Sequence, residues 1–278
     1  MPLHLARLIA CGAFAAVALS VAGPPAAASE GTPQDPRLLT PGKLTVGTGD
    51  PVYPPWMLNN DPASGEGFEN GLIYALAAEM GFAPEDVVWV GNTFDQTIAP
   101  GPKDFDFAIQ QISVTEARSQ VVTFSQVYYQ SDKAVIALPG SPVEAAGSFE
   151  ELRRARWGAV IGTTDLAYLE TILDIQDAAV YDDQIGVFQA MQAGQIDATL
   201  AALPTALFAT AVQIPEASIV ALLPPDENDR GHGLLFQFGN PLVDWVDEAL
   251  SAVIAAGVVE DLKAQYLIAD PDLPIITE

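Results

Sequence analysis

Arg118 is the side chain in this sequence best suited to gripping an anion: a planar guanidinium presents paired N–H donors that match the two oxygens of a carboxylate, which an ammonium does not. Ser113 and Thr115, just before it, add hydroxyls. Each of these residues also has an ordinary structural role. Arg118 fits the surface of a short helix, and Ser113, with Glu116 three residues later, fits a helix cap. Thr163 and Thr164 precede a helical pattern that opens at Asp165. There, unpaired backbone N–H groups favour an anion, and a threonine serves equally well as a cap. Tyr53 and Trp56, in a proline-rich loop, and Phe94 offer aromatic walls for a small molecule, although aromatic residues more often fill cores. Gln111 alternates with Ile112 at a strand end, where its amide can bond a polar ligand or brace a hinge. Metal chemistry lacks donors, because His4 and the only cysteine, Cys11, lie in an N-terminal leader and His232 stands alone. No cofactor or metal is expected.

The elements that must position these residues alternate. Lys43 to Gly47 reads as a buried strand, and Asn70 to Met80 as a helix with Leu72, Ile73, Leu76, Ala77 and Met80 on one face, ended by Gly81. Strands follow at Asp86 to Val90, Phe105 to Ile109 and Lys133 to Leu138, then a helix from Ser148 with the capping-box spacing Ser148 to Glu151. Trp157 to Ile161, a helix from Asp165, a strand near Val180, a helix from Gln184 to Gln192 and a strand at Asp197 to Leu200 continue the alternation. Leu242, Val246, Leu250 and Ile254 predict one helical stripe before Gly257, and Val258 to Tyr266 a second helix. The pattern is that of an α/β protein with largely parallel sheets. Roughly nine strand candidates exceed what one compact α/β core needs, so two sheets are expected.

The chain has 278 residues, 50% of them apolar, with a formal charge of −25. Such acidity excludes nucleic acid as a partner and suits a solvated surface. Residues 1–28 read as a secretory signal peptide: Arg7, an apolar run from Leu8 to Ala22, then small residues ending at Ala28. The run of about 15 residues is too short to span a membrane. Cys11 follows Arg7 too closely for a lipid-attachment site. Residues 29–41, rich in proline and small polar side chains, read as a disordered tether.

Asp104 to Gln130 reads DFDFAIQQISVTEARSQVVTFSQVYYQ. This segment resembles the amino-acid-type family of type II periplasmic solute-binding proteins. That family's pattern runs from a strand aspartate through small residues and Ser/Thr-x-Thr to an arginine, then a Phe-Ser segment ending in paired tyrosines. Asp106, Ser113, Thr115, Arg118, Phe124, Ser125, Tyr128 and Tyr129 hold those places. Thr48 to Trp56, Gly67 to Gly81, Gly162-Thr163-Thr164, Gly194 to Asp197 and Gly239-Asn240-Pro241 agree in order, so the resemblance covers nearly the whole mature chain.

The resemblance implies a two-lobed α/β fold, each lobe a mixed sheet flanked by helices. Lobe one would comprise residues 42–136 and 230–278 and lobe two residues 137–229, with crossings near Ala134 to Pro139 and Pro224 to His232. It implies a non-catalytic, exported, periplasmic or extracellular monomer that captures a small carboxylate-bearing solute in the interlobe cleft and delivers it to the membrane permease of an ABC transporter. A periplasmic dehydratase acting on arogenate or prephenate, or a ligand-presenting sensor component, are the alternatives; the enzyme would need a general acid, for which Glu69 and Asp165 are the candidates. By the same resemblance, Arg118 and Ser113 take the solute carboxylate and Tyr53 covers the ligand. The sequence departs from the family at Ala202, where an acidic residue usually meets the ligand ammonium, and at Gln110 and Gln111, which replace smaller residues. Either another acid, Asp165 or Glu69, meets that ammonium, or the solute is not an ordinary α-amino acid.

Overall fold

The computed structural model describes residues 30–224, 226, 228–267 and 272–278. The leader, with Cys11, lies outside the described residues. The chain opens with β1 (Leu44–Gly49), α1 (Phe68–Glu79), β2 (Val87–Asn92), α2 (Phe94–Ile98), β3 (Phe107–Ala108), α3 (Glu116–Ser119) and β4 (Val122–Tyr129). A second set follows: β5 (Lys133–Ala137), α4 (Phe149–Leu152), β6 (Trp157–Val160), α5 (Thr164–Thr171), β7 (Ala179–Tyr181), α6 (Gln184–Gln192), β8 (Ala198–Ala202), α7 (Leu203–Phe208) and β9 (Ser218–Leu223). The chain then returns through β10 (His232–Gln237), α8 (Leu242–Ala255) and α9 (Val258–Tyr266).

Two five-stranded sheets result, in the orders β2-β1-β3-β10-β4 and β7-β6-β8-β5-β9. In each sheet four strands point the same way, and the fifth, β10 in one and β5 in the other, runs antiparallel to both its neighbours. The sheets are therefore mixed, each with a single antiparallel strand next to its edge. The reason lies in the crossings: β5 and β10, the first strands after the chain changes lobe, each enter fourth in their sheet and antiparallel to the third strand.

Strands covered on both faces read as continuous apolar runs, and β1 and β5 are buried at every position. Along β5 the side chains alternate, so Ile136 packs with Val187, Phe188 and Met191 on one face and Val135 with Trp157, Leu169 and Leu200 on the other. In lobe one, α1 and α8 close over β1, β3 and β10 through Leu72, Ile73, Leu76, Val246 and Leu250. The predicted α8 stripe drifts at its end. A spacing of four overshoots a 3.6-residue turn by about 40° per step, so Val253 is buried while Ile254 is 36% exposed.

Three boundaries differ from the sequence reading. Residues 30–41 are no tether: buried Asp35 accepts the Gly31 amide at 2.7 Å and pairs with Arg37, Leu38 joins the lobe-one core, and the Leu39 amide donates to Asp106 Oδ1 at 2.7 Å. The first crossing is residues 130–132, before β5, because Lys133 to Ala137 already pair with β8 and β9. Residues 272–278 belong with lobe two. Leu222 exchanges backbone bonds with Pro274 and Ile276, and the Phe149 amide donates to Glu278. The second crossing, 224–231, ends at Gly231 with φ 103°, where a Cβ would stand 2.7 Å from the Tyr129 carbonyl oxygen, so only glycine fits.

Candidate functional site

The carboxyl ends of β1, β3, β6, β7 and β8 face one another across the gap between the lobes, the usual place for ligands in open α/β sheets. A cavity of about 190 Å³ opens there. Of the residues singled out from sequence, Arg118, Ser113, Gln110, Gln111, Tyr53, Phe94, Thr163, Thr164, Asp165 and Ala202 all line it.

Trp56 does not. It is fully buried in lobe one, ringed by Phe68, Tyr129 and His232 at 5.5 to 5.8 Å, and its indole N–H donates across to Thr205 Oγ1 on α7 at 2.8 Å. A flat apolar ring with one donor satisfies a core and an interlobe bond together.

Arg118 is buried to 9% exposure on the single-turn helix α3. Thr115 caps that helix by accepting the Arg118 amide, which frees the Ser113 hydroxyl for the cleft. The guanidinium donates to the Ser113 carbonyl at 2.6 Å and, across the cleft, to the Gly162 carbonyl at 2.8 Å, with the Phe94 ring 5.3 Å away. Three of its five N–H donors have no protein acceptor among the described residues. Burial lowers its pKa to about 10, so the charge persists at neutral pH.

Around it lies a network that the sequence reading missed. Asp229 Oδ2 accepts from Ser113 Oγ at 2.8 Å and Thr164 Oγ1 at 3.0 Å, and Lys133 Nζ lies 3.5 Å away. Lys133 also bonds Asp165 at 2.9 Å and Thr164 at 3.0 Å. Burial works against both charges. For Lys133 the two carboxylates outweigh it and hold the pKa above the ordinary lysine range. For Asp229 the ammonium and the Ser113 hydroxyl outweigh it and hold the pKa below the ordinary aspartate value. His232 is neutral, pushed by burial to about 4.

Thr163 spends its hydroxyl on structure, donating to the Val160 carbonyl and accepting the Leu166 amide at the head of α5. Gln110 accepts from Thr97. Gln111, at φ 50°, turns its amide back to Glu69, which also accepts from the Gln111 backbone and Tyr128. Gln111 thus braces Glu69 within lobe one while also lining the cavity. Both candidate acids are thus engaged: Glu69 lies beneath the cavity wall, and Asp165 is ion-paired to Lys133.

The other end of the cavity is acidic and open. Asp50 and Tyr53 from the loop after β1 meet Asp182, Asp183 and Gln184 from the loop after β7. Gln184 Nε2 is buried without a partner among the described residues, the Tyr53 hydroxyl is buried beside the Gln184 and Ile185 backbone amides, and burial, with Asp183 and Asp50 nearby, raises Tyr53 to about 12. Around the cavity, Asp50, Asp132, Asp165, Asp182, Asp183, Asp226 and Asp229 face Arg118 and Lys133 as the only fixed cations among the described lining residues. No cluster of metal-binding side chains occurs among the described residues, and no described helix is long and apolar enough to cross a membrane.

Comparison with known proteins accords with this geometry. The model of the bacterial extracellular solute-binding proteins, family 3, matches residues 44–269. The lysine/arginine/ornithine-binding periplasmic protein of Escherichia coli is 28% identical over 58% of this chain and 60% of its own length, so the chain spans less than two thirds of that relative. A probable histidine-binding protein of Campylobacter jejuni is 30% identical over 70% of this chain and 72% of that protein. Among solved structures, a periplasmic binding protein of Salmonella typhimurium described for high arginine specificity shares the fold with a TM-score of 0.68 at 22% identity, covering 81% of this chain and 99% of its own.

Proposed function

The chain belongs to the bacterial extracellular solute-binding proteins, family 3, and from that premise we propose that it captures a small cationic amino acid, or a derivative of one, in the interlobe cleft. The carrying observation is the charge of the cleft, seven aspartates against Arg118 and Lys133 in a partly desolvated space that strengthens electrostatic selection. Relatives named for lysine, arginine, ornithine and histidine support the same class. In this reading the spare Arg118 donors take the solute carboxylate, and Asp50, Asp182 and Asp183 take its cationic group. An acid at position 202 is then unnecessary, because the negative charge has moved to the far end. Residues 1–28 direct export, and the mature protein works as a periplasmic monomer that presents its closed form to an ABC permease. It performs no chemistry on the solute, since both candidate acids are committed to structural bonds.

A thermal-shift panel on the mature protein tests the proposal, because a ligand that binds only the native state raises the melting temperature. Lysine, arginine, ornithine and histidine are expected to stabilise it by several degrees, and leucine and glutamate to leave it unchanged. Stabilisation by glutamate or leucine alone would refute the reading, and turnover of any stabilising solute would establish an enzyme instead.

A further inference from the structure

The anion-binding hydroxyls of the cleft already hold a carboxylate, and it belongs to the protein. Asp229, on the returning crossing, accepts one hydroxyl from each lobe, Ser113 at 2.8 Å and Thr164 at 3.0 Å, while its other oxygen accepts the Gly231 amide at 3.1 Å. Its countercharge is built in too. Lys133 begins β5 directly opposite Ala202 of β8, so the small side chain leaves room for the lysine ammonium beside Asp165, Thr164 and Asp229. The Lys133 and Asp229 side chains are only 8% and 14% exposed. A charged pair so far from water is costly unless its hydrogen bonds are complete, and here they are nearly so.

We propose that Asp229 is an internal occupant of the cleft's anion subsite, a specificity-determining carboxylate that a solute's own carboxylate must displace from Ser113 and Thr164. Displacement exchanges one carboxylate for another on the same hydroxyls, so the solute carboxylate adds little affinity. Recognition then falls on the cationic group at the far end. The inference rests on the reading of this cleft as the solute site, but the subsite itself can be probed without the solute.

Asp229→Ala and Asp229→Ser vacate the subsite, and the serine retains a hydroxyl able to hold the Gly231 amide should the alanine variant fold poorly. Sodium formate, compared with sodium chloride at equal ionic strength, is expected to raise the melting temperature of either variant by several degrees and to leave the wild type unchanged. Calorimetry with arginine and with agmatine, which is arginine without its carboxylate, provides the second arm. The wild type is expected to bind the two within about threefold, and Asp229→Ser to prefer arginine by about tenfold or more. A formate response confined to the variants supports the internal carboxylate even where neither solute binds, in which case only the cationic-solute reading fails. A formate response equal in wild type and variants, or absent from both, overturns the inference, as does weaker arginine binding by Asp229→Ser.

Discussion

The two ends of the cleft are built on opposite principles. At the Arg118 end the hydroxyls of Ser113 and Thr164, the Lys133 ammonium and the Asp229 carboxylate answer one another, and little is left to satisfy beyond three guanidinium N–H groups. At the Tyr53 end, Gln184 Nε2 is buried without a partner and the acids face no cation among the described residues. A saturated end offers a handle with little discrimination. An unsatisfied end imposes a cost that only a complementary group relieves, and selectivity concentrates there.

The largest expected effect lies in the lobe-one wall beneath the cleft, at Glu69. Burial raises Glu69 to about 7, against the bonds from Tyr128 and Gln111 that pull it down. Its folded pKa exceeds its unfolded value, so the native state binds the extra proton. Stability from this group is full below about pH 4.5 and falls as pH rises through 7, by up to about 3 kcal/mol. Denaturant melts from pH 4 to 8 should show that decline, and Glu69→Gln should flatten it. If the two profiles coincide, Glu69 does not brace Gln111 as a titrating group.

Arg118→Ala is expected to weaken solute binding by at least tenfold, approaching about 2 to 3 kcal/mol, chiefly because it removes the buried bond to Gly162 that joins the lobes. Arg118→Lys should fail to restore it, since a point charge cannot span two carbonyls. At the open end, Asp182→Asn with Asp183→Asn should cost about tenfold for basic solutes by calorimetry, with little change in melting temperature. Equal losses for leucine and arginine would show that the far end does not select charge. Tyr53→Phe should have the smallest effect, a few-fold in affinity or about 1 kcal/mol, because it removes one hydroxyl and leaves the ring against the cleft.

Most of the architecture was legible because periodicity reports burial. The limits of α6 and α9 agree with the pattern to the residue, and β1 and β5, buried at every position, are carried by the apolar residues Leu44, Val46, Val135 and Ile136. The strand beginning at Lys133 is legible, but nothing local tells which sheet it joins, and only its pairing with β8 and β9 puts the crossing before it. Asp229 left no local signal, sitting in a polar turn between two strands and acquiring its role only when Ser113 and Thr164, far apart in sequence, meet beside it. Trp56 was misjudged because an aromatic residue beside a site and one beneath it look alike in sequence. Residues 30–41 have the composition of a linker, and only the packing of Asp35 and Leu38 reveals that they are docked.

Residues 30–41 ride on lobe one, whereas residues 272–278 extend the lobe-two sheet through Leu222. The two ends of the described chain are therefore fastened to opposite jaws. A fluorophore at each would move with its own jaw, and energy transfer between them would read out opening and closing directly, with no label placed near the aspartates that select the solute.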